Sequence, residues 1–205
     1  MSVPQPILFA TGNPHKVQEV AAVLGSLGLH VEGLESLGRA IEEPAEDGLT
    51  FTANALLKAR YYAQQSSRLV LADDSGLVVD ALGGEPGVRS ARYCGLTGPR
   101  SVVDPANNAK LLEHLRGVPD EQRTARFICV MALADPHRTW AVTRGVVEGR
   151  IAHEPRGQNG FGYDPLFLLP GRKVTTAELD PQQKDAISHR GQAARMLADL
   201  LRRRS

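Results

Sequence analysis

Ile7-Leu8-Phe9-Ala10-Thr11-Gly12-Asn13-Pro14-His15-Lys16-Val17 decides the fold class of this 205-residue chain. Residues 7–10 are an unbroken apolar run behind Pro6, which reads as a short buried strand. Thr11-Gly12-Asn13 breaks the run. Pro14 suits a first helical position, and Val17, Val20, Ala21 and Leu24 recur on one face at helical spacing. A strand that turns through a polar loop into an amphipathic helix is a building unit of α/β sheets.

The alternation continues downstream. Gly25 and Gly28 are expected to end the first helix, and residues 30–32 to return as a strand. Residues 38–50 are polar and read as a loop. A helix is predicted over 51–65, where Ala53, Ala55, Leu56, Leu57, Lys58, Ala59 and Arg60 are good helix formers. Residues 69–72 form the next strand, Asp73-Asp74-Ser75-Gly76 a turn, and 77–79 continue extended. Residues 83–87 are a glycine-rich loop. Asp104-Pro105 reads as an N-cap and first helical residue of a helix reaching about Leu115. Residues 124–133 and 139–147 are β-rich and predicted to pair as neighbours, with a further short strand at 166–169. A last helix is predicted from Gly191 to Arg203 with Ser188 as its cap. Arg202-Arg203-Arg204 then reads as a helix C-terminus favoured by the macrodipole, in preference to a nucleic-acid arm. Strands and helices intermix throughout, which predicts an α/β domain whose sheet is covered by helices.

This length suits one well-buried core, so residues 1–205 are read as a single domain. Hydrophobic residues at 42% and charged residues at 23% are ordinary for a globular protein. With 24 Lys and Arg against 23 Asp and Glu, the net charge of +1 gives no broad reason to expect nucleic acid or a membrane. Cys94 and Cys129 are unclustered, which predicts reduced thiols and no zinc site. No basic segment leads into a long apolar stretch at the start, and no apolar run approaches the roughly 20 residues a bilayer span requires. The expected location is the cytoplasm.

Chemistry is concentrated in short polar stretches. Thr11-x-Asn13-x-x-Lys16 opens a helix, where exposed N–H groups attract phosphate. Lys16 adds a point charge, although the Walker pattern is absent. An ordinary strand-to-helix turn explains that stretch equally well. Asp73-Asp74, at a predicted strand end, could bind Mg²⁺ through oxygen, or could cap a polar turn. Glu46 is a plausible second carboxylate, but nothing local separates it from Glu42, Glu43 or Asp47. In Gly160-Phe161-Gly162-Tyr163-Asp164-Pro165 the glycines allow close backbone approach and an aromatic ring offers a stacking face. Tyr163 itself fits a core position better. Ser188-His189-Arg190-Gly191 sets two cationic side chains together at a helix start, either around an electron-rich atom or as surface decoration, with Lys184 nearby. Together these stretches offer cations for phosphate, carboxylates for a metal, a face for a base and donors for its edge. That inventory points to a hydrolase of nucleoside triphosphates.

The blocks T-G-N-P-H-K, E-D-G-L-T-F-T-A-N-A-L-L-K-A, A-D-D-S-G-L-V-V-D-A-L-G-G, S-A-R-Y, G-F-G-Y-D-P-L-F and K-D-A-I-S-H-R-G, in this order, make the chain resemble the inosine triphosphate pyrophosphatase family, the non-standard purine NTP (dITP/XTP) pyrophosphatases. The resemblance runs from about Ile7 to Leu201. It implies an α/β fold with a long central mixed sheet flanked by helices and two lobes around an active-site cleft. It implies a homodimer that uses Mg²⁺ to convert a nucleoside triphosphate to the monophosphate and pyrophosphate. Carried onto this chain, Thr11, Gly12, Asn13, Pro14, His15 and Lys16 would hold the triphosphate, and Lys58 would face it from its helix. Asp74 would be the catalytic acid/base and a magnesium ligand with Glu46, and Ser75 would touch substrate beside it. Phe161, Gly162, Tyr163 and Asp164 would frame the base, with Phe161 stacking. Lys184, His189 and Arg190 would complete the contacts. Ala53 stands where an acidic residue is common in the family, which bears on the metal shell.

Rival readings are a nucleotide-binding regulator without catalysis, an aspartyl phosphatase and an interaction module. A mere binder has no need of a metal pair. The aspartyl phosphatase requires D-x-D after the first strand, where this chain has Thr-Gly-Asn. No patch in the sequence speaks for an interaction module.

Overall fold

The computed structural model describes residues 6–203. A mixed sheet of six strands runs in the order β2-β1-β3-β4-β5-β6, with β1 (Ile7–Phe9), β2 (Val31–Glu32), β3 (Val70–Val79), β4 (Thr124–Ala134), β5 (Thr139–Ile151) and β6 (Phe167–Leu168). β1 lies parallel to both β2 and β3, in register Ile7 with Val31 and Leu8 with Val70, whereas β6 runs antiparallel to β5. The helices are α1 (Pro14–Ser26), α2 (Phe51–Ser66), α3 (Arg100–His114), α4 (Pro181–Ile187) and α5 (His189–Arg202). The predicted α/β class, the neighbouring pair β4 and β5, and Ser188 as the cap of α5 hold.

The chain divides into two compact units. The first runs up to Asp74, takes Cys129–Gly145 and resumes at Ser188; the second is Ser75–Ile128 with Val146–Ile187. Each has its own apolar core. In the first, Ile7, Phe9, Leu24, Leu71, Met131 and Leu133 pack with Ala194, Leu197 and Leu201, and α1 lies against α5. In the second, Leu77, Val79, Leu111, Leu115, Phe127, Ile151 and Phe167 form the core. There Arg123 is buried, and its guanidinium donates to the carbonyls of Leu115, Ile151 and Ala152 at 2.8–2.9 Å.

Several expectations are corrected. Asp73-Asp74-Ser75-Gly76 is no turn, because β3 runs unbroken through it from Val70 to Val79. Turn propensity loses here to the sheet, in which β3 is an interior strand between β1, paired with it at Val70 and Leu71, and β4. Asp104 is not the cap of α3. The helix starts at Arg100, behind Pro99, and carries Pro105 inside it. α4 escaped the sequence reading, since its seven residues show too little periodicity to stand out. α1 continues through Gly25 to Ser26. Arg202 lies in the last turn of α5 and Arg203 at its cap, while Arg204 lies outside the described residues.

Candidate active site

In the first unit, several of the candidate side chains gather around the two adjacent aspartates of β3. Successive strand residues point to opposite faces, so Asp73 and Asp74 enter different surroundings. Asp73 is 1% exposed. Its carboxylate receives Lys16 Nζ at 3.0 Å on Oδ1 and 2.9 Å on Oδ2, with Arg190 Nε 3.6 Å from Oδ2. Arg190 also pairs with Glu19 of α1 through Nη1. Burial alone would raise the Asp73 pKa, but Lys16, Arg190 and Lys58 outweigh it and hold the carboxyl well below its ordinary value. Burial likewise disfavours charge on Arg190, and Glu19 and Asp73 reverse that.

Asp74 meets a different set. Asn54 Nδ2 donates to Asp74 Oδ2 at 3.0 Å, and Lys58 Nζ lies 3.9 Å from Oδ1. The same ammonium is 2.9 Å from Glu46 Oε1. Burial pushes the Asp74 carboxyl up from its ordinary value, against the pull of Lys58 and Asn54. Lys58 is pulled down by burial, but Asp73, Glu46 and Asp74 together raise it. Glu46 is half-buried, whereas Glu42, Glu43 and Asp47 are exposed, so the structure separates the loop carboxylates that the sequence could not.

Two carboxylates of different elements thus come within 4 Å of one ammonium. No group of three or more His, Cys, Asp or Glu side chains suited to a metal exists among the described residues. This donor set fits Mg²⁺, which takes one or two protein carboxylates and fills its remaining positions with water and phosphate oxygens.

The loop from β1 into α1 caps itself. Thr11 Oγ1 accepts from Asn13 N–H at 3.2 Å, and Asn13 Oδ1 accepts from His15 N–H at 3.0 Å. The turn reading therefore accounts for two of its side-chain oxygens. Asn13 Nδ2, however, is buried with no hydrogen-bond partner among the described residues, a donor suited to an incoming anion at the helix start. Gly12, Pro14 and His15 are exposed.

In the second unit the loop 160–164 is organised by Asp164. This carboxylate accepts from Phe161 N–H at 2.8 Å, Lys184 Nζ at 2.6 Å and Thr176 Oγ1 at 2.8 Å. Lys184, 5% exposed, also stands 4.9 Å over the centre of the Phe161 ring. Tyr163 is buried, its hydroxyl donating to the Ser90 carbonyl at 2.9 Å, which matches the core position read from the sequence. Burial raises its phenol pKa.

Around Asp74 the structure brings together Glu46 and Lys58, and around Asp164 it brings together Phe161 and Lys184. His189 is buried at the first turn of α5, and Ser75 is half-buried in β3. The electron-rich partners of Arg190 are Glu19 and Asp73, so its charge is taken up inside the protein. Sequence reasoning missed Asn54 and Glu19 as members of this network, and named Asp73 only within a pair that could bind Mg²⁺ or cap a turn. Their helical and strand positions carried no sign of which long-range partner each would meet. Ala53 is exposed, and it is Asn54, one position on, that touches Asp74.

The Ham1 family model matches residues 7–200. A dITP/XTP pyrophosphatase of Geobacillus kaustophilus is 52% identical over 187 residues, covering 91% of this chain and 89% of that protein. A dITP/XTP pyrophosphatase of Frankia alni is also 52% identical, over 96% of both chains. Among solved structures, a HAM1 protein from Coxiella burnetii superimposes with a TM-score of 0.84 at 42% identity, covering 97% of this chain and 98% of that one.

Proposed function

This chain belongs to the Ham1 family, and on that premise we propose that it hydrolyses the non-standard purine nucleoside triphosphates dITP, ITP and XTP to monophosphate and pyrophosphate. The observation that carries the reading is Asp74, a buried carboxylate held by Asn54 and set beside Lys58 and Glu46. A carboxylate oriented by an amide donor and placed where water and phosphate meet is a suitable general base for taking a proton from that water. We assign that step to Asp74. Lys16 and Lys58 neutralise phosphate charge, and Asn13 Nδ2 supplies a neutral donor. Glu46 and Asp74 would hold Mg²⁺, which when bound polarises phosphoryl oxygens and spreads the leaving group's charge. We assign stacking on the base to Phe161, and donation to a purine 6-oxo group to the Lys184 ammonium that stands 4.9 Å over its ring. A site that hydrogen-bonds an oxo group leaves adenine unpaired, at a loss of about 1–3 kcal/mol per buried mismatch.

A panel of nucleoside triphosphates scored for pyrophosphate tests this directly. ITP, dITP and XTP are expected to turn over far faster than ATP, which lacks the 6-oxo group, and than GTP, which shares it and whose 2-amino group must be refused by another contact, and only with Mg²⁺ added. Equal rates for ITP and GTP would overturn the selectivity. Binding of ITP without pyrophosphate release would make the protein a nucleotide-binding regulator instead. A homodimer and a cytoplasmic location complete the proposal. Sedimentation tests the first, and among the described residues no helix is long and apolar enough to cross a membrane.

A further inference from the structure

The loop that carries Phe161 is gripped from behind by one helix. Gly162 N–H donates to Asp104 Oδ2 at 2.9 Å, and Gly162 C=O accepts from Asn108 Nδ2 at 3.0 Å. Asp104 and Asn108 are four residues apart in α3, so they stand one above the other on one helix face. A donor and an acceptor thus take hold of both hydrogen-bonding groups of one residue. That residue is also conformationally special, since Gly162 has φ 63°, the left-handed region. Arg100, one turn earlier, pairs with the other Asp104 oxygen at 2.9 Å and fixes the carboxylate's orientation.

We propose that Asp104 and Asn108 are positioning residues for nucleobase recognition, acting through Gly162 to set the Phe161 ring. The inference rests on the reading of Phe161 as the base-stacking residue. Two observations favour it over simple packing. Asn108 is 7% exposed, and its Oδ1 is buried with no hydrogen-bond partner among the described residues. A leucine of similar size would remove that orphaned acceptor but would orphan the Gly162 carbonyl in its place. What the amide supplies that leucine lacks is the bond to Gly162. Asp104, in turn, sits inside α3 where the sequence suggested a cap, and its carboxylate serves the loop instead of the helix.

The test uses the full-length protein with ITP as substrate and inorganic tripolyphosphate as a competitive probe of the phosphate contacts alone. Asn108→Leu is expected to raise KM for ITP about three- to tenfold, the effect of one lost hydrogen bond. Its kcat should fall less than KM rises, and its tripolyphosphate inhibition should not change. Asp104→Ala should raise KM similarly, and Asp104→Asn should restore part of the loss, because an amide oxygen can still accept from Gly162 N–H. Phe161→Ala is the reference. If it leaves KM for ITP unchanged, the base-stacking reading itself fails. If Phe161→Ala raises KM while Asn108→Leu and Asp104→Ala do not, the positioning role is refuted and the reading of Phe161 stands. A loss of tripolyphosphate inhibition in Asn108→Leu would likewise refute it, by making Asn108 a packing residue.

Discussion

Asp73 and Asp74 are chemically identical neighbours with opposite electrostatic fates. Asp73 has Lys16 and Arg190 on its carboxylate and is held ionised; Asp74 has one amide donor and a more distant ammonium, and burial prevails. The same conservative change should therefore do different things at the two positions. Asp74→Asn should lower kcat by about 10²–10⁴, the range for a lost general base, without lowering the Tm measured in EDTA. Asp73→Asn leaves Lys16 and Arg190 facing a neutral partner in a buried place and should cost about 3–5 kcal/mol of stability, read by urea unfolding. A carboxyl with a depressed native pKa contributes stability above its unfolded pKa of about 3.9, and that contribution is lost as pH falls toward the native value. The Asp73→Asn variant should accordingly show a flatter loss of stability below pH about 4; an acid limb identical to wild type would remove Asp73 from that role. The sequence disclosed that acids, cations and an aromatic loop were present, and the family resemblance ranked them. It did not disclose that Arg190 is taken up by Glu19, a partner 171 positions away, because no local pattern encodes such a pairing.

Elements place these residues by close backbone approach. Gly145 of β5 lies under the first turns of α5, where a Cβ would stand 2.0 Å from the His189 carbonyl oxygen and 2.8 Å from the Ala193 amide nitrogen. Those neighbours are backbone and cannot swing aside. Gly145→Ala should then push α5 off the strand, with a loss of about 1–3 kcal/mol or more and a fall in activity, since His189 and Arg190 ride on that turn. A variant of wild-type Tm would show that the helix yields freely. Thr143, two residues earlier on the same strand face, ties its hydroxyl to the Ala193 carbonyl at 2.9 Å and holds the contact from the other side. α1 was legible because its apolar spacing repeats, and α2 and the β4–β5 pair because their composition favours helix and strand. β3 was misread because its acidic middle looks like a turn until its sheet neighbours are known. α3 was misread because Asp104-Pro105 matches a helix start, although the chain uses that aspartate for the distant Gly162.

At the scale of the molecule, the two units each own a core, yet β3, β4 and β5 each begin in one and end in the other. We propose that residues 1–205 unfold as one domain for that reason, since neither core can lose its strands alone. Urea unfolding followed by Trp140 fluorescence, a probe in the first unit, should coincide with far-ultraviolet circular dichroism, which averages both. Separate midpoints would divide the chain into independent folding units. Cys129 adds a finer probe. Its side chain is fully buried, with Sγ 3.9 Å from Asp73 Oδ2, and burial with that negative neighbour pushes the thiol up to about 12. A thiol that is both enclosed and protonated cannot react with a disulfide reagent until the surrounding side chains part. Its labelling rate therefore times how often the carboxylate's enclosure breathes, and nucleotide bound at Lys16 should slow that clock while half-buried Cys94 keeps its own pace.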